Sequence, residues 1–247
     1  MKRFLPHRAF PLIAVIPGLI GLLLRLALYT LEEPSGLLPH NHFLHIATVI
    51  LAIITAVLAG FFSAKTKDGF LYVHERSPLA TVGAILAALC LLPTAFGIQE
   101  QASGILNICL TFLTFLAVLC MLVLALLFWK GRRPHFLLHS GICLFFLIYT
   151  LCQYPHWCAN PQLADYLLPL LACVFLNFAA YRRAAFDLHA QYSRKLPFFA
   201  LMAGFFCICS LAGEGSPMFY LAGGLWALTN LCAVRPVPPQ EVPHVPS

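Results

Sequence analysis

Residues 105–134 read ILNICLTFLTFLAVLCMLVLALLFWKGRRP. From Ile105 to Trp129 there is no Asp, Glu, Lys, Arg or His, and the run ends where Lys130, Arg132 and Arg133 follow in close order. At 1.5 Å of rise per residue, such a segment crosses the roughly 30 Å of hydrocarbon in a bilayer. Apolar residues make up 61% of the 247 residues and charged residues only 10%, where a soluble domain carries about 25% charged. The chain is therefore expected to be an all-α integral membrane protein with the lipid bilayer as its solvent.

Seven more apolar runs flank this one. Together they predict about eight transmembrane helices: Phe10–Leu31, Phe43–Ser63, Pro78–Gly97, Ile105–Trp129, Phe136–Gln153, Leu163–Tyr181, Leu196–Gly213 and Pro217–Val234. Only Glu214-Gly215-Ser216 separates the last two, so a re-entrant pair is the alternative there. The first run contains Arg25 and leads into YTLEEPSG rather than a small-residue cleavage site, so it reads as a retained helix and not a signal peptide. Residues 1–234 form one polytopic domain. The tail 235–247, RPVPPQEVPHVPS, is proline-rich and reads as a disordered stub.

Positive charge tests this layout independently, because cytoplasmic loops carry the excess of Lys and Arg. Lys2, Arg3 and Arg8 precede the first run, Lys65, Lys67 and Arg76 follow the second, and Lys130, Arg132 and Arg133 follow the fourth. Arg182, Arg183, Arg194 and Lys195 follow the sixth and Arg235 the eighth, while the alternate loops have none. Both termini are thus expected in the cytoplasm and the protein in the plasma membrane. The net charge of +6 belongs to topology and anionic headgroups, not to nucleic acid. The halves also resemble each other weakly. LYTL at 28–31 recurs as IYTL at 148–151, and Lys65, Arg76 and Pro78 align with Arg182, Arg194 and Pro197. That pattern suggests two parallel four-helix repeats, 1–130 and 131–234, related by an axis along the membrane normal.

Candidate sites begin with ionisable residues inside spans, since each is costly there and persists with a partner or a purpose. Arg25 is the one charge placed well inside a run, with Tyr29 one turn on and Glu32 two turns on, followed by Glu33. Snorkelling with pairing to Glu32 or Glu33 is one reading. A ligand site at the outer face, formed by Arg25, Tyr29, Glu32 and Glu33, is the other. No Asp or Glu is placed in the middle of a span, which weighs against ion-coupled transport.

The stretch LLPHNHFLH, 37–45, brings His40, His42 and His45 to the start of the second run, with Asn41 as its expected N-cap. The corresponding later segment, CQYPHWCANPQLADY, adds His156 and a Cys152–Cys158 pair read as lying in an outer loop and able to form a disulfide. His40, His42, His45 and His156 are therefore metal-ligand candidates, although closed ligand spacing is missing and interfacial edging is the simpler reading. His135 and His139, at i,i+4 after Pro134, can ligate a metal or contact headgroups.

Catalytic signatures such as GxSxG, HExxH or a phosphate loop are not found, and no cofactor is implied. The sequence favours a non-enzymatic accessory or regulatory component, or a carrier of a small solute, acting with another membrane protein or that solute. A sensor with an outer ligand site and a His/Cys-ligated metal or haem enzyme are the alternatives. Thiol labelling on a cysteine-free background tests the topology: position 130 should react only from the cytoplasmic side and position 101 only from outside. External reaction at 130 without reaction at 101 reverses it.

Overall fold

The computed structural model describes residues 10–31, 43–65, 71–101, 105–159, 163–188, 195–213 and 216–237. Eight helices and two short strands are described: α1 (Leu12–Tyr29), α2 (Phe43–Lys65), β1 (Leu71–His74), α3 (Pro78–Gln101), α4 (Ile105–Lys130), α5 (Phe136–Ala159), α6 (Leu163–Leu188), α7 (Leu196–Cys209), α8 (Pro217–Leu231) and β2 (Val234–Val237). Six of the helices, α1 to α6, are long and apolar enough to cross a membrane. α7 and α8 have 14 and 15 residues, so each rises only about 21–23 Å.

Packing order explains how the short pair is accommodated. α3, α4, α5, α6, α7 and α8 form a closed ring in which each helix packs on the next and α8 returns to α3, while α1 and α2 pack on each other and on the outside of α7. α7 is therefore flanked on nearly every side by protein, and most of its residues are buried. By contrast, α2 leaves Ile46, Val49, Ile50, Ile53 and Val57 exposed. In a membrane that apolar surface meets lipid, because lipid tails solvate it as well as protein does.

Aromatic side chains from α5 and α8 meet across the ring. Tyr149 stacks on Phe219 with centroids 3.7 Å apart and an interplanar angle of 11°. Phe146 stands edge-on to Phe219 and to Trp226, at 5.8 and 5.5 Å. All of these rings are buried, so the centre is filled rather than hollow. Close helix approach depends on small residues, as is usual in membrane bundles. A Cβ on Gly83 of α3 would fall 2.2–2.4 Å from the Thr229 side chain of α8, and one on Gly204 of α7 would fall 2.4 Å from Leu228.

The basic connections gather at one end. There β1, in the α2–α3 connection, pairs antiparallel with β2, which follows α8, in the register Leu71↔Val237 to His74↔Val234. Ser77 N–H donates to Phe128 O (3.3 Å), and Glu75 N–H to Ala233 O (3.0 Å). One sequence expectation is corrected here: the tail does not begin free at 235, because Arg235, Pro236 and Val237 pair with β1. The two halves also pack differently: α3 packs on α8 and α1 on α7, whereas the principal partners of α5 are α4 and α6.

Gly83→Val should lower stability by about 1–3 kcal/mol through overpacking. The β-branched Thr229 cannot swing away cheaply. Thermal unfolding in detergent checks this, and an unchanged melting temperature would contradict the close α3–α8 contact.

Candidate polar site at the basic end

α6 runs two turns beyond the end expected at Tyr181, because AAYRRAAFDL contains no Gly or Pro to stop it and alanine favours the helix. Those extra turns place Arg183 and Asp187 four residues apart on the inward face, where both are buried. Arg183 Nε lies 3.7 Å from Asp187 Oδ1. The guanidinium sits over Phe128 and Phe186, 5.7 and 5.3 Å from their centroids, and its Nη1–H donates to Asn230 O of α8 at 3.3 Å.

Two histidines complete the shell of the carboxylate. His139 of α5, fully buried, places Nδ1 2.6 Å from Asp187 Oδ2. His74, the last residue of β1, places Nε2 3.1 Å from Oδ1, and its ring stacks on Phe186 at 4.9 Å. An ionised carboxylate only accepts, so both imidazole nitrogens are assigned as donors. Arg133, in the α4–α5 connection, donates through Nη2 to the backbone carbonyl of Asp187. One residue thus binds β1, the α4–α5 connection and α5, and through Arg183 it reaches α8.

With Nδ1 directed at Asp187, His139 turns its Nε2 away from the carboxylate. That atom is buried without a hydrogen-bond partner among the described residues, as are Arg183 Nη2, Trp226 Nε1 and Asn230 Oδ1. Arg183, Trp226 and Asn230 also line a cavity of about 10 Å³, room for a single water. An Asp–His pair of this kind orients a general base in hydrolases. Here no hydroxyl or thiol of the described residues is hydrogen-bonded to Nε2.

Burial is the largest influence on His74 and holds it below the ordinary imidazole value of 6.5, against the opposite pull of Asp187; Arg183 and Arg133 act in the same direction as burial.

The residues singled out from sequence are distributed differently. Arg25 is buried, and its Nε–H donates to Ala212 O just beyond α7 at 2.9 Å. Its Nη2 lies 3.4 Å from Tyr29 Oη, and its guanidinium 5.6 Å from that ring. It therefore satisfies a carbonyl at the C-terminal end of α7, where the helix dipole favours a cation. Glu32, Glu33, His40, Asn41 and His42 lie outside the described residues.

His45 is in the first turn of α2, and His156 is exposed on α5. Since α2 packs on α1 and α7 while α5 packs on α4 and α6, these two metal candidates are not brought together. No group of three or more His, Cys, Asp or Glu suited to a metal occurs among the described residues. Cys152 and Cys158 are not in a loop: α5 continues through Pro155 to Ala159, and both thiols are free. Six helical positions separate them by about 9 Å of rise, beyond the reach of a disulfide without backbone movement.

His135 and His139 do not converge either. His135 is exposed beside Phe136, and His139 points into the bundle. Arg183, read from the sequence as part of a cytoplasmic loop, lies instead within α6, and Asp187 lies in the last turn of that helix. Asn177 bridges α6 and α5, its Nδ2–H donating to Thr150 Oγ1 at 3.2 Å. Asn230 uses its amide within α8 instead, donating to Trp226 O at 2.8 Å.

Asp187→Ala should cost about 3–5 kcal/mol, because it leaves Arg183 buried without its counter-charge. Unfolding at pH 7.5 measures this, and a loss within experimental error would contradict the buried pair. His74 supplies a pH dependence. The unfolded chain protonates it near 6.5 while the folded chain resists, so the unfolded state binds more protons below about 6.5. Stability should fall on acidification from that pH until the folded His74 itself protonates. His74→Gln should flatten this part of the profile, and an unchanged profile would assign the acid sensitivity elsewhere. Neither a known protein family, nor a characterised protein, nor a solved structure matches the chain.

Proposed function

We propose that the chain is a non-enzymatic plasma-membrane protein with eight crossings and both termini in the cytoplasm, that it carries a small solute, and that the Asp187 cluster closes its cytoplasmic end. The observation that carries this reading is the convergence on Asp187 of bonds from β1, the α4–α5 connection and α5, with Arg183 extending the set to α8. Buried ionisable groups in a membrane bundle mark functional sites by default. A set of ion pairs that joins separate segments at one end is also the kind of contact that exchanges when a carrier rocks between states. The filled aromatic centre fits a carrier in a closed state better than a standing pore. A purely accessory role is the second reading, favoured by α2, whose outward apolar surface could seat another membrane protein.

Accessibility of the bundle interior separates the two. In a cysteine-free background, a cysteine at Ala179, which is buried and lines the small cavity, should react very slowly with an impermeant thiol reagent added to inverted vesicles. Asp187→Asn should raise that rate at least tenfold by loosening the closure. An unchanged rate in a variant that still elutes as folded protein would refute the closure and favour the accessory role.

A further inference from the structure

A second feature of the basic end lies on the outside of the ring. Thr81 and Ile85 on α3 and Leu122, Ala125, Leu126 and Trp129 on α4 line a groove of about 340 Å³. Its lining is apolar apart from Thr81, whose hydroxyl already donates to Ser77 O at 3.0 Å. Leu122, Leu126 and Trp129 are exposed along it, so in a membrane it opens to the acyl chains.

Basic residues adjoin the Trp129 end of the groove. Trp129 is the last apolar residue before Lys130, Gly131 and Arg132. The Arg76 guanidinium lies 4.7 Å from the Trp129 ring centroid. Gly131 makes this approach feasible: it adopts φ 64°, a left-handed conformation that glycine reaches freely, and a Cβ there would stand 3.2 Å from Arg76 Cβ. The bond from Ser77 N–H to Phe128 O fixes the neighbouring backbone. Arg76, Lys130 and Arg132 are all exposed, and Arg76 has no carboxylate partner within salt-bridge distance among the described residues. Glu75 is the single acidic residue described in these two connections. A guanidinium held over an indole by a cation–π contact retains N–H donors for a phosphate oxygen.

We propose that this groove is a binding site for one anionic phospholipid: an acyl chain lies against Ile85, Leu122 and Leu126, and the phosphate is held by Arg76 with Lys130 and Arg132. Three cations beside an apolar slot complement a headgroup of net negative charge. A zwitterionic headgroup brings its own cation to the same place. The site uses none of the residues bonded to Asp187 and does not depend on what the protein carries.

Quenching of tryptophan fluorescence tests it directly in proteoliposomes. Bromines on the acyl chains of phosphatidylglycerol should quench the Trp129 component, identified by subtracting the signal of Trp129→Phe, at far lower mole fraction than bromines on phosphatidylcholine. Each surface cation contributes about 1 kcal/mol toward an anionic lipid. The triple variant Arg76→Gln, Lys130→Gln, Arg132→Gln should therefore lose the preference for phosphatidylglycerol by roughly a hundredfold, while its melting temperature shows whether the bundle is intact. The site is overturned if both lipids quench equally, as ordinary annular lipid would, or if the preference survives in the triple variant. Should that variant fail to fold, the comparison of the two lipids on the unaltered protein decides alone.

Discussion

A carboxylate in the interior of a membrane bundle is stable only when hydrogen-bond donors and positive charge replace the water it has lost. Asp187 meets that demand with three partners at its carboxylate, Arg183 from its own helix, His139 from α5 and His74 from β1, while Arg133 binds its backbone carbonyl. Each partner must come from a different part of the chain, so meeting the needs of one side chain fixes several segments at once. β1 has to lie across the end of the bundle for His74 to reach Oδ1, and β2 then pairs along it. The α4–α5 connection has to fold back for Arg133 to reach α6.

Hydropathy located the starts of the helices well, and for a physical reason. Phe43, Pro78, Ile105, Phe136, Leu163, Leu196 and Pro217 each begin an expected span and also begin an observed helix, because proline and the transition from polar to apolar residues mark a helix start and a membrane edge together. The ends diverged. α5 and α6 run past the apolar runs to Ala159 and Leu188, since a helix continues wherever its backbone bonds are favourable, whether or not its side chains are apolar. The largest miss came from that difference. Arg182 and Arg183 read as the positive edge of a loop, when Arg183 is one of the most deeply buried side chains.

A sharper signal was present. Arg183 and Asp187 stand at i,i+4, and alanines recur at 179, 180, 184 and 185. Such spacing continues a helix with a small-residue face on which a neighbour can pack closely, and α7 and α8 both pack on α6. The contribution of His74 could not have been read in the same way. It lies 113 positions from Asp187 in sequence, in a connection with no periodicity to suggest that it folds inward. Long-range polar contacts of this kind are set by topology, and hydropathy carries no information about them.

The short helices α7 and α8 show how the two ends of the protein depend on each other. At about 21–23 Å each, they do not match a full hydrocarbon thickness, and in contact with lipid alone their terminal backbone groups would be left unsatisfied. At the turn between them Arg25 donates to Ala212 O, and the Thr94 and Ser216 hydroxyls approach to 3.5 Å. At the far end of α8, Arg183 donates to Asn230 O, and the chain passes directly into β2. α1 and α3 therefore supply at one end what α6 and β1 supply at the other, and the longer helices around the pair take up the difference in length. A hairpin held in this way is stable only as part of the ring. The buried arginines are thus conditions for the pair to exist in the bilayer, and loosening the Asp187 cluster would loosen α8 along with it.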